Sequence, residues 1–216
     1  MAQVPSGTLN FVASKISQPI PVTGVSNAEE AVVTAPGHGF EDGDIVLLNS
    51  GWGRLNKRCF RVKDADDDTF ALENADTTRT DFFPDGTGGG SVTRIEDWIQ
   101  IVTVMNPSTS GGEAKKVTYK FLESDVEYNI NDGFSAISRT YELDADSFDA
   151  PGYKALERLT ETQEDTVLKM LLRNGSAVYL PCTVALSAEP QIQEGKIVTS
   201  KLEISGNGRS TRYSAL

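Results

Sequence analysis

Residues 31–49 read AVVTAPGHGFEDGDIVLLN, and whether they form a site or a turn decides what kind of protein this is. They hold the single histidine of the chain, His38, with Gly37 and Gly39 beside it and Glu41, Asp42 and Asp44 following closely. A histidine among carboxylates is raw material for acid–base or metal chemistry. The glycines argue otherwise: Gly37, Gly39 and Gly43 are spaced to supply the positive φ that turns require. Phe40 can anchor such a turn in a small core while Glu41 and Asp42 face water. The stretch therefore reads as strand, loop, strand, and His38 as a turn residue.

Working outward, residues 22–94 repeat that texture. AVVTA, DIVLLN, KRCFRVKD, TFALEN and SVTRI are short β-runs, separated by PGHG, NSGWG, DADDD and FFPDGTGGG. Short strands with frequent turn signals predict a small all-β barrel or sandwich. SQPIPVTG, with two prolines and a glycine, marks its junction with an opening strand over Thr8–Ile16, where Leu9, Phe11 and Ala13 alternate with polar residues.

After Asp97 the pattern changes. DWIQIVTVMN predicts a strong strand, NPSTSGGEAKK a long polar loop, and KVTYKFLES an alternating strand. YNINDGFSAISRTYELD predicts two strands around an Asn131-Asp132-Gly133 turn. Residues 150–174 carry Leu156, Leu159, Gln163, Val167, Met170 and Leu171 at spacings of three and four, which predicts one helix. Pro151 suits its first turn, Ser147 or Asp149 its cap, and Gly175 its stop. AVYLPCTVAL and a closing pair of strands around Gly206-Asn207-Gly208 finish the chain. The expected fold class is mainly β (α+β). A discontinuous core of residues 1–20 and 97–216 forms a β-sandwich or rolled sheet flanked by the helix. It is interrupted by an inserted barrel of residues 21–96.

Candidate chemistry is sparse. One histidine cannot assemble a zinc site at any recognisable spacing, and neither Cys59 nor Cys182 sits where its pKa would be lowered for nucleophilic work. Both cysteines read as reduced, buried apolar residues. Asp64, Asp66 and Asp68 alternate as in a calcium loop, but Thr69 and Ala75 stand where glycine and glutamate belong. A tight Asp-rich turn explains the same residues, with weak calcium binding the alternative. The glycine run before Ser91 opens a strand without a lysine, so it does not read as a phosphate cradle. No cofactor, metal or catalytic residue is expected, and the chain is not read as an enzyme. No run approaches the roughly 20 apolar residues of a membrane-spanning helix, and the N-terminus lacks the basic and apolar regions of a secretory signal.

The net charge is −11. It opposes tight binding to nucleic acid, although a repelling surface lets DNA slide past. Most of the excess acid lies between Pro21 and Asp97, where fifteen acidic residues face seven basic ones.

The order Val32–Val33, His38–Phe40, Gly43–Asp44, Leu55–Val62 and Asp67–Leu72 resembles a small β-module of phage virion proteins. That module is similar in fold to the first catalytic cysteine half-domain of ubiquitin-activating enzymes. The GTLNFV opening, the loop at Asn106–Lys116, the helix and the KIVTSKLEISGNG close resemble the tail tube protein of long-tailed, non-contractile phages. The resemblance implies a structural virion protein: hexameric rings stacked into a tube that conducts DNA without binding it. Its implied partners are further copies of itself and the tape-measure, terminator and tail tip proteins, with no membrane contact. Its implied location is the virion tail, assembled in the host cytoplasm. It also implies inter-ring contacts at Asn106, Ser108, Gly111, Gly112 and Glu113, and lumenal acids among Glu123, Asp125, Glu127 and Glu203. Two alternatives stay open. One is a carbohydrate- or host-surface-binding module using Trp52, whose plainer reading is a cover over one end of the small barrel; the other is a terminator or distal-tail adaptor of the same fold.

Overall fold

The computed structural model describes residues 7–215. Its strands, in chain order, begin with β1 (Leu9–Ile16), β2 (Ile20–Val22), β3 (Gly24–Val25), β4 (Val32–Thr34), β5 (Ile45–Ser50), β6 (Arg58–Lys63) and β7 (Thr69–Leu72). They continue with β8 (Gly90–Ile101), β9 (Val104–Ser110), β10 (Ala114–Tyr119), β11 (Tyr128–Phe134) and β12 (Ser138–Asp144). One helix, α1 (Pro151–Thr162), precedes β13 (Thr166–Leu171), β14 (Ala177–Leu186), β15 (Thr199–Gly206) and β16 (Thr211–Tyr213). The fold is mainly β, as expected.

All strands but two belong to one hydrogen-bonded sheet, whose main path runs β3-β4-β7-β6-β5-β8-β1-β13-β14-β15-β12-β9. The long β8 is the hinge of this order. Its first half pairs with β2 and β5, its second half with β1. Every strand pairing is antiparallel, so inward and outward side chains alternate and each face acquires its own core.

Three buried clusters result. Segment 20–94 encloses Val33, Val46, Leu48, Phe60, Phe70 and Leu72 around Trp52. Under the helix, Leu156 and Leu159 press onto Val12, Leu168, Leu180, Leu202 and Ile204. A third cluster joins the two, with Ile45 and Cys59 of the segment meeting Ala13, Val167, Tyr179 and Tyr213.

The junction is also polar. Tyr213 Oη accepts from the Arg61 amide at 3.1 Å and donates to the Glu73 carbonyl at 3.2 Å. The Arg61 guanidinium holds the Glu73 carboxylate with two donors. Burial pushes the Tyr213 phenol up to about 12, and Tyr179 likewise. A phenol normally ionises near pH 10, so the stabilisation from their neutral forms is complete below about pH 10. It is lost as pH climbs towards 12. Tyr213→Phe is expected to cost about 1–2 kcal/mol at neutral pH through its two lost hydrogen bonds. It should also flatten the alkaline stability loss in urea titrations at pH 9 to 12.

Several sequence expectations need correction. The helix ends at Thr162, not residue 174: Gln163 adopts the left-handed conformation (φ 55°) and its amide bonds back to Leu159. Val167, Met170 and Leu171 belong to β13, a central strand between β1 and β14. Thr166, Val167 and Leu168 are buried in succession, as expected of a strand covered on both faces, and helical spacing cannot distinguish that case. Neither Ser147 nor Asp149 caps the helix, and Gly175 turns β13 into β14.

The strand expected across DWIQIVTVMN breaks at Thr103 (φ 58°), separating β8 from β9. The polar loop after it is largely strand: β9 pairs with β12, Gly111 and Gly112 turn the chain, and β10 follows. At Gly111 a Cβ would lie 1.9 Å from the Ala136 carbonyl oxygen, so only glycine fits.

Asn131-Asp132-Gly133 is a bulge within β11, with Lys116 opposite Asn131 and Ala114 opposite Phe134. A turn signal can be spent on a bulge because both need one residue of positive φ, here Gly133 at 94°. Finally, β15 and β16 do not pair with each other. Both lie along one edge of β14, β15 at Cys182–Leu186 and β16 at Ala177–Tyr179.

Candidate functional site

The residues that first suggest chemistry are all absorbed by structure. His38 is buried; its Nδ1 accepts the Phe40 amide at 2.9 Å, which leaves Nε2 to donate to the Thr69 carbonyl at 3.3 Å. Its ring packs on Phe40 and Phe70. Asp42 and Asp68 accept backbone amides from Ala65 and Gly37, tying two turns together. Cys59 and Cys182 are free and buried. Burial raises both thiols, Cys182 to about 12, the reverse of what a nucleophile needs.

Of the two readings of Trp52, surface aromatic and barrel cover, the structure has the buried one. It is 2% exposed, sits edge-on to Phe83 at 5.2 Å, and its indole N–H donates to the Pro84 carbonyl and to Thr87 Oγ1. A sugar has no face of it to stack on. The aromatic that does reach the surface nearby is Phe82, between the guanidinium groups of Arg54 and Arg79.

Exposed structure is concentrated elsewhere. The β10–β11 hairpin forms a two-stranded sheet of its own. Val117 lies opposite Ile130 and Tyr119 opposite Tyr128, so these four share one face, joined by Phe121. All five are exposed, Phe121 at 55% and Ile130 at 57%. Lys116, Thr118, Asn129 and Asn131 occupy the other face. A hairpin with an open apolar face is marginal alone and is normally covered by something. Between its strands, residues 120–127 (KFLESDVE) form the tip, where Leu122 is fully exposed and three acids face one lysine.

The expected site residues separate into three places. Asn106 and Ser108 lie on β9, the last strand of the sheet, where Asn106 Nδ2 donates to Glu142 at 2.6 Å. Gly111, Gly112 and Glu113 form the turn at the base of the arm, the Glu113 amide bonding Ser135 Oγ. Glu123, Asp125 and Glu127 lie at the arm tip, whereas Glu203 is on β15, paired with Lys201 at 2.6 Å.

The register puts Glu203 on the sheet face opposite the helix, in line with Ala185, Thr140 and Ser108. Thr183, Ser205, Ser138 and Ser110 make the adjacent row. The structure thus joins Glu203 to a small-residue polar face and leaves the other three acids on the arm. The alternation of Val117, Tyr119 and Phe121 was visible in the sequence; their exposure was not, because alternation cannot say which face meets a core.

The family model for phage tail tube proteins matches residues 50–215, from the end of β5 to beyond β16. No curated protein sequence matches. Among solved structures, the chain is similar to one from the tail of an empty GTA particle, computed with helical refinement in C6 symmetry. That likeness has 15% identity and a TM-score of 0.44, and covers 54% of this chain and 87% of the other. A chain of the six-fold symmetrised anti-feeding prophage baseplate is similar at 10% identity and a TM-score of 0.40, covering 56% and 86%. With the family model spanning most of its length, the chain belongs to the phage tail tube protein family.

Proposed function

We propose that this tail tube protein closes into hexameric rings that stack into a tube, a non-catalytic conduit for DNA. The observation that carries this reading is the hairpin arm, an apolar face left open among the described residues. The end of the sheet supports it too: among the described residues, β9 has β12 on one side and no strand on the other. Unpaired edges are hazards that closed symmetric assemblies remove. On this reading Asn106, Ser108, Gly111, Gly112 and Glu113 lie at contacts between subunits, on an edge strand and turn instead of a loop.

The face bearing Glu203, Thr140, Ser108 and Ala185 is the candidate for the lumen. Around Glu203 it is small, neutral or acidic, and the neighbouring Lys201 is neutralised by Glu203. Such a face offers few cations to phosphates, so DNA would pass without the counterion release that drives binding. The arm-tip acids Glu123, Asp125 and Glu127 are less suited to that role and better suited to a contact.

Segment 21–96, with its own core around Trp52, is the proposed inserted module on the outside of the tube. The tape-measure, terminator and tail tip proteins are the proposed partners, and the host cytoplasm the place of assembly. Electron microscopy of the purified full chain tests the reading. Six-fold rings and stacked tubes are expected, and a chain that remains monomeric at high concentration contradicts it.

A further inference from the structure

A groove of about 500 Å³ lies where three parts of the chain meet: the turn around Gly53–Lys57, the base of the arm at Gly112 and Phe134, and the loop Gly206–Ser210. Its floor is largely backbone. Gly208 lies against the Lys57 carbonyl so closely that a Cβ would come within 1.9 Å of that oxygen.

One cation without a counter-ion lines it, and a second lies behind that one. Arg209 lines the groove and stacks over Phe134 at 4.7 Å. Arg58 is next to it: burial and then the Arg209 charge hold its guanidinium below the usual arginine range, and its buried Nε has no hydrogen-bond partner. Among the described residues neither arginine is in an ion pair, whereas Lys57 is held by Asp165 at 3.1 Å. Two adjacent arginines, one of them with a buried nitrogen that has no partner, would be satisfied by an incoming anion.

The arm tip has the complementary chemistry. Phe121, Leu122 and Val126 are exposed at 55%, 103% and 60%, and Glu123, Asp125 and Glu127 stand among them. The tip cannot reach the groove of its own chain. The groove is at the base of the same arm, and the six residues of β10 hold the two roughly 20 Å apart.

We infer that the acidic arm tip of one copy, Phe121–Glu127, seats in the groove of the next copy. Its carboxylates face Arg209, with Arg58 adding its charge from behind, and its apolar residues lie against Phe134. The inference rests on the self-assembly reading above and deepens it by naming the seat. Tip and groove are different surfaces, so the contact is head-to-tail and propagates from copy to copy. It also gives segment 20–94 a part in assembly, since one wall of the seat is its Gly53–Lys57 turn.

Charge exchange tests this. The triple variant E123K/D125K/E127K and the single variant R209E are each expected to raise the concentration needed for assembly at least tenfold. Combining all four changes in one chain should restore assembly to within a few-fold of the unaltered protein. A second measurement uses D125C with S210C, which should give an intermolecular disulfide ladder in assembled material under mild oxidation. Normal assembly by the triple variant, failure of the combined chain to recover, or assembled material without a ladder each overturns the seat alone. An unaltered chain that never assembles overturns the self-assembly reading, and the seat with it.

Discussion

Trp52→Ala is expected to lower the unfolding free energy by about 3–5 kcal/mol, among the largest losses available from one side chain in this protein. Trp52 is essentially buried and central to the cluster of segment 20–94. Its removal would leave a cavity beside Phe83 and strip the Pro84 carbonyl and Thr87 hydroxyl of the indole donor. Those bonds fasten the loop carrying Phe82 and Phe83 to the end of β5. Gly88 lies close enough that a Cβ there would meet the indole ring at 3.1 Å, so the loop is shaped around the ring. Trp52→Phe should retain part of the packing and lose both hydrogen bonds, falling between the two. Urea unfolding followed by circular dichroism reads the difference. A loss below about 1 kcal/mol would place the side chain at the surface and reopen its role in binding sugars.

Removal of the arm is expected to have the opposite profile, with assembly abolished and folding intact. Replacing residues 113–134 by a short Gly-Ser turn deletes β10, the tip and β11, none of which contributes a residue to any of the three buried clusters. The stability of the monomer should therefore change by no more than about 0.5 kcal/mol, the range usual for exposed changes. Sedimentation velocity should show only monomer at concentrations where the full chain forms larger species. A truncated chain that still assembles would move the subunit contacts to the β9 edge alone. A truncated chain that does not fold would show that the arm has an intramolecular role.

The mainly β character and a separate cluster of short strands around residues 31–49 were legible from alternation and glycine spacing. His38 in its turn followed from the same signals, and the structure gives it two backbone partners. What misled was any pattern that two conformations satisfy. Val167, Met170 and Leu171 fit a helical stripe and a doubly covered strand equally, and the choice was made by β1 and β14 on either side. Asn131-Asp132-Gly133 fits a turn and a bulge equally, and Ala114 and Phe134 across the ladder decided it. Trp52 between two glycines could be read as an exposed aromatic or as a barrel cover, because its local sequence is loop-like. Its burial depends on Phe83 and Thr87, more than thirty residues away. The groove at Arg209 was not legible at all, because Lys57, Phe134 and Arg209 come together only through the fold.

As the repeated unit of a tail tube, this chain should be abundant in the particle. Quantitative mass spectrometry of purified virions, with a component present as one ring for reference, should find this chain in many-fold excess, as stacked rings require. A ratio near one would contradict the account and make the chain a terminator or adaptor occupying a single ring.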